Sequence, residues 1–233
     1  MMKAYQELIS HFLDKGYRPD FFSASPPQKG SLILRHDIDF AVEYAHQLSL
    51  VEDRLGVKST YFFLMHSKSY NLLEHTHLNQ IRSMMSRGHQ ISIHFDPTLY
   101  KDIEEGFQEE KELFEKIFDV EVQHISIHRP SDYFLNNAKA VCGVRHTYHP
   151  IYFEQIKYFA DSQGWFRYGH PVDSEAFENQ DTIQLLIHPI WWVAKGSDAL
   201  SKLHNFLDFR IDRFKHHMAL NCKPYKEYME QEI

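Results

Sequence analysis

The feature that most constrains this chain is a recurring punctuation. Short apolar runs, rich in β-branched and aromatic residues, each close on an ionisable side chain and then give way to a stretch of helical periodicity. The runs are SLILRH from Ser31, STYFFLMH from Ser59, HQISIH from His89, VEVQHISIH from Val120, VRHTYH from Val144, IKYFAD from Ile156 and TIQLLIH from Thr182. Such an alternation predicts βα units around a mainly parallel sheet. Helices are expected at Phe40 to Leu55, Leu72 to Arg87 and Asp102 to Phe118, the first two stopped by Gly56 and Gly88, with a last one from Ser197 to about Leu220. Near the start, Tyr5, Leu8, Ile9, Phe12 and Leu13 recur at helical spacing and predict a surface helix.

At 233 residues, 43% of them apolar, the chain suits one α/β domain with an ordinary core. A single domain over 1–233 is expected: a helix and lead-in over 1–30, the strands over 31–190, and a C-terminal helical segment over 191–233. The formal charge of −7 offers no footprint for a nucleic-acid backbone. Cys142 and Cys222, eighty positions apart, suggest neither a disulfide framework nor a cysteine zinc site. No membrane insertion is expected, since no stretch reaches the length of a span, and Glu7 and Asp14 interrupt any signal-like core. A cytoplasmic location is the expectation that follows.

Seventeen histidines are the unusual count. Several close strands: His36, with Asp37 and Asp39, after the first; His66 after the second; His94 and Asp96 after the third; His128 and Arg129 after the fourth; His188 after the seventh. Asp161 closes the sixth. In a parallel barrel or sheet these positions converge where active sites form, so the polar ends are expected to make one site. Asp37 and Asp39, two apart, can face one pocket with different partners. A competing assignment makes Asp39 the N-cap of the following helix and pairs Asp37 with Arg35. Histidine with carboxylate suits zinc, or iron, cobalt, nickel or manganese, better than calcium. His89, at the opposite end of its strand, is read as structural.

Taken in order, RHDID, STYFF, GHQISIHFDP, IHRPS, YFADSQGWFR and LLIHPIWW resemble the polysaccharide deacetylase superfamily, the NodB-homology or carbohydrate esterase family 4 fold. The set is most similar to a divergent branch associated with O-antigen and surface-polysaccharide biosynthesis. The resemblance implies a distorted (β/α)7-type barrel, matching the strand count. It implies Asp37 as catalytic base, Asp39 and His94 as metal ligands, and Arg129 as the arginine that positions the base. It further implies Asp161 and Trp165 as the pair buttressing the acid side and walling the sugar pocket, and His188 as the group protonating the leaving amine. Where the family pattern has a second metal histidine, this chain has Thr98. His128 is the preferred third ligand, with Asp96, His36 or no third protein ligand as the other options.

Trp165, Trp191, Trp192, Tyr148 and Tyr152 fall in or near loops where flat rings can stack on a pyranose, and Arg167 joins Trp165 and Trp191 as an expected substrate contact. The function expected is metal-dependent removal of an N-acetyl or similar acyl group from an amino sugar or sugar precursor. A metal-dependent amidase on a small non-carbohydrate amide, and a catalytically inactive carbohydrate-binding or scaffold protein, are the alternatives. The oligomeric state is not legible in the sequence.

Overall fold

The computed structural model describes residues 2–23, 25–135 and 137–231, so positions 232 and 233 of the expected C-terminal segment lie outside the described residues. Two compact units are present, Met1–Val193 and Ala194–Ile233. The first holds the whole sheet and every candidate site residue. The second is helical, with Ala199–Asn221 opened by a capping box between Asp198 and Ser201, followed by Lys223–Gln231.

The expected α/β architecture is the one observed, a curled half-barrel of parallel strands. Its strands are β1 (Arg18–Asp20), β2 (Ser31–Ile38), β3 (Thr60–Phe63), β4 (Gln90–Phe95), β5 (His124–Ile127), β6 (Arg145–His146), β7 (Lys157–Ala160) and β8 (Ile183–Ile187). They run β6-β5-β4-β3-β2-β8-β7, every pairing parallel, and β1 adds to the start of β2. All seven expected strands are present. β1 is an additional strand, three residues long around Pro19.

The curl follows from two short side chains. Ser126 on β5 and Asp37 on β2 are in hydrogen-bond contact at 2.9 Å. Three strand spacings separate them, about 14 Å in a flat sheet. Only a sheet bent round on itself brings them together.

Period-2 alternation sorts the residues between the two faces of this curl. Ile91, Ile93, Phe95, Ile125, Ile127, Tyr61 and Phe63 face outward and pack in one core cluster with Ile81, Met84, Phe107 and Phe114 of the covering helices. Leu32, Leu34, Leu185 and Ile187 pack instead with Tyr5, Leu8, Ile9 and Phe12 of α1 (Met2–Asp14), the buried stripe expected from their spacing. The other covering helices are α2 (Val42–Arg54), α3 (His75–Ser86) and α4 (Ile103–Phe118). Gly56 and Gly88 follow α2 and α3 with φ of +70° and +89°, the left-handed turn that glycine adopts at no steric cost. α4 opens on Asp102, whose side chain accepts from the N–H groups of Glu104 and Glu105 at 3.0 Å.

The inner face is polar toward the carboxyl ends of the strands. Arg35 of β2 is fully buried there, donating to Gln184 of β8 and Ser126 of β5, with its guanidinium 5.1 Å from the Tyr148 ring centroid. A cation with no water around it requires this many partners.

Candidate active site

The alternation that places Arg35 inside also places Asp37 inside and continues to Asp39 beyond the strand end. Asp39 does not cap α2, whose N-cap is Ala41 without a side-chain hydrogen bond, so its carboxylate is free for the site. His94 is the last inward residue of β4. His128 follows β5, and its N–H donates to the Phe95 carbonyl at 2.7 Å, extending the β4–β5 ladder so that its ring faces inward like Ser126.

These residues meet. His94 Nε2 lies 3.2 Å from Asp39 Oδ1 and 3.1 Å from His128 Nδ1, and His128 Nδ1 lies 3.5 Å from Asp39 Oδ1. One ligand-capable atom from each of Asp39, His94 and His128 falls within 4.8 Å of the others, the one such group among the described residues. The donor set of two imidazole nitrogens and a carboxylate oxygen suits zinc and its neighbours. Asp39 Oδ1 is buried yet receives no well-aligned hydrogen bond, an orphaned anionic atom of the kind an ion satisfies. The residues present therefore fit a divalent cation. Burial would raise the Asp39 carboxyl, but the His94, His188 and His128 rings hold it below its usual range. Burial and the neighbouring His94 push His128 down, toward the neutral ring that ligation requires.

Asp37 is gripped from behind. Arg35 Nε donates to Oδ1 at 2.9 Å and Nη2 to Oδ2 at 2.7 Å, and Ser126 Oγ donates to the same carboxylate. Burial would raise this carboxyl, yet the adjacent guanidinium keeps it well below the ordinary carboxylate range. Asp37, Asp39 and His188 together line a small cavity.

His188 enters from the end of β8. Asp161, after β7, accepts from its backbone N–H at 3.0 Å and pairs with Nδ1 at 2.7 Å, while Trp192 Nε1 donates to the other oxygen at 2.6 Å. Nε2 is left pointing into the site, 3.9 Å from Asp39 Oδ2. Burial alone would lower His188, but the Asp161 carboxylate outweighs it and the ring is pushed up to about 9.

The structure thus brings together Asp37, Asp39, His94, His128, Asp161 and His188. It does not bring in Arg129, which is exposed on a left-handed turn (φ 50°) that carries it off the inner face; the arginine holding Asp37 is Arg35. His36 also stands apart. One residue out of phase with Asp37, it faces the helices, where Nε2 meets Glu52 Oε1 at 2.6 Å and the ring stacks on Tyr61. Tyr5, Ser59 and Tyr61 donate to the same buried Glu52, and His89, read as structural, lies beside it. Asp96 is occupied as a turn cap, accepting from Thr98 N–H and Oγ1–H. His66 is exposed. Of the expected substrate contacts, Trp165 is 59% exposed, Arg167 lies exposed with its guanidinium over the Tyr168 ring, and Trp191 is half-buried.

Sequence reasoning missed Ser126 and the anchoring role of Trp192. The first had a signal in the alternating polar positions His124, Ser126 and His128.

Neither a protein-family profile nor a curated protein sequence matches the chain. Among solved structures it is similar to the chitin deacetylase of the fungal pathogen Colletotrichum lindemuthianum, at 15% identity and a TM-score of 0.47 over 83% of this chain and 86% of that one. It is also similar to a family 4 carbohydrate esterase from Bacillus anthracis, at 20% identity and 0.46 over 90% and 86%. A third is a peptidoglycan deacetylase from Bacillus subtilis, at 12% identity and 0.45 over 81% and 87%.

Proposed function

We propose that the chain is a metal-dependent hydrolase that removes an N-acetyl or similar acyl group from an amino sugar or sugar precursor in surface-polysaccharide biosynthesis. The observation that carries this reading is the convergence of Asp39, His94 and His128 beside a carboxylate, Asp37, and a carboxylate-backed imidazole, His188. The ordered motifs that resemble the polysaccharide deacetylase superfamily supply the substrate class.

Asp39, His94 and His128 would hold the cation. When bound, it would polarise the acyl carbonyl and make water a better nucleophile near neutral pH. The chain's own groups do the rest. Asp37, kept ionised by Arg35, accepts a proton from the attacking water. His188, held protonated by Asp161, gives the Nε2 proton to the departing nitrogen, so that the C–N bond breaks to yield a carboxylate and a free amine. Acid and base contribute roughly 10²–10⁴-fold each.

The test is purification without a histidine tag, metal analysis, and assay of zinc-loaded protein on N-acetylated amino sugars beside small amides and cyclic ureides. Acetate release from the sugars is expected. Hydrolysis of the small amides alone would replace the substrate class, and an empty site with no hydrolysis after metal is added would leave a binding protein.

A further inference from the structure

Ser126 Oγ lies where three groups of this site meet. Arg35 Nη2 donates to it at 2.7 Å, both Asp37 oxygens lie 2.9 Å away, and His94 Nδ1 lies 2.8 Å away. The residue is fully buried, so water does not compete for it. A hydroxyl has one proton to give and two lone pairs to offer. A guanidinium only donates, so Arg35 takes one lone pair. An ionised carboxylate only accepts, so the hydroxyl proton turns toward Asp37. The second lone pair faces His94, and two lone pairs would repel at 2.8 Å, so Nδ1 carries a hydrogen and donates it. In a neutral ring the unprotonated nitrogen is then Nε2, the atom beside Asp39 Oδ1 and His128 Nδ1.

We propose that Ser126 is a positioning residue: it fixes His94 as the Nδ1–H tautomer, presents Nε2 to the cation site, and ties that ring through one hydroxyl to Asp37. This deepens, and rests on, the metal-site reading above. Without the hydroxyl, the nearest carboxylate oxygen to Nδ1 is Asp37 Oδ2 at 3.8 Å, beyond hydrogen-bonding range. Loss of the acceptor behind a ligand histidine weakens metal affinity by about 10–100-fold.

The experiment uses the full chain labelled with ¹⁵N-histidine, as wild type, Ser126→Ala and Ser126→Thr, each checked for its melting transition. Zinc is the probe, its affinity measured by competition with a chelator and His94 read by the nitrogen shifts of its ring. Wild type is expected to show a protonated Nδ1 in its metal-free and zinc-loaded forms. Ser126→Ala should lose that signature in its metal-free form and bind zinc about 10–100-fold more weakly, and Ser126→Thr, which keeps the hydroxyl, should restore both. An alanine variant with the wild-type His94 spectrum and zinc affinity overturns the proposal and leaves the metal site standing. A threonine variant as impaired as alanine also overturns it, in favour of packing. A wild type that binds no zinc overturns the metal-site reading instead, and the metal-free His94 spectra of wild type and Ser126→Ala still decide the role of Ser126.

Discussion

Arg35 and Asp37, two residues apart on β2, form a two-pronged ion pair inside the curled sheet, with neither side chain more than 3% exposed. Removing one partner strands the other charge in a dry interior. Arg35→Ala is expected to cost about 3–5 kcal/mol in denaturant unfolding. Arg129→Ala, at an exposed position, should stay within roughly 0.5 kcal/mol of wild type. Combining Arg35→Gln with Asp37→Asn should cost less than the two single changes summed. Similar midpoints for Arg35→Ala and Arg129→Ala would contradict the pairing.

His128→Ala removes one of three candidate ligands. Zinc affinity, measured by chelator competition, is expected to fall by more than the roughly 10–100-fold that loss of an outer-shell partner costs, while the far-ultraviolet dichroism is retained. Asp96→Asn, at a carboxylate engaged by Thr98, should leave the affinity near wild type. The reverse ranking would make Asp96 the third ligand.

His188 is raised from 6.5 to about 9 because Asp161 favours its charged form against the pull of burial. A raised histidine contributes stability that is complete below about pH 6.5 and is lost as pH rises through about 9. The kcat/KM profile should carry an alkaline limb near that upper value. Asp161→Asn should move the limb to lower pH and reduce kcat, and a limb that stays in place would remove Asp161 from this role.

Glu110, on α4, is buried, with Tyr100 donating to Oε1 at 2.7 Å and Oε2 left without a hydrogen-bond partner. Burial pushes its carboxyl from 4.5 to about 7, against the Tyr100 hydrogen bond and with the help of Asp96. The folded state then binds more protons than the unfolded chain across that window, so stability falls as pH rises through it. Glu110→Gln should match wild type near pH 4 and exceed it by about 3 kcal/mol at pH 8. A constant difference at both values would count against a titrating Glu110.

The strands and their shared polar end were legible because burial on the outer face imposes a strict period and because βα units bring carboxyl ends together. β1 was not legible: three residues around Pro19 carry no alternation. The site was legible to the level of residue type, and less so to the level of facing. His36 adjoins Asp37 in the chain, yet alternation sends it to Glu52, on the opposite face of the sheet. Arg129 follows His128, yet the backbone turns left-handed there. Ser126 escaped notice because its alternation with His124 and His128 marks only the face it lies on, and its hydroxyl has no partner at the site until the sheet curls to bring Asp37 of β2 to it.

Strand β2 carries unrelated tasks on its two faces, a clasp to α2 through His36 and Glu52 and a carboxylate at the cavity through Asp37. Insertion of a single residue between Leu34 and His36 would exchange them, driving an imidazole into the cavity and a carboxylate into the helical layer. The spacing within RHDID is therefore rigid in length, and any change of chain length tolerated by this fold has to be absorbed in the connections outside it.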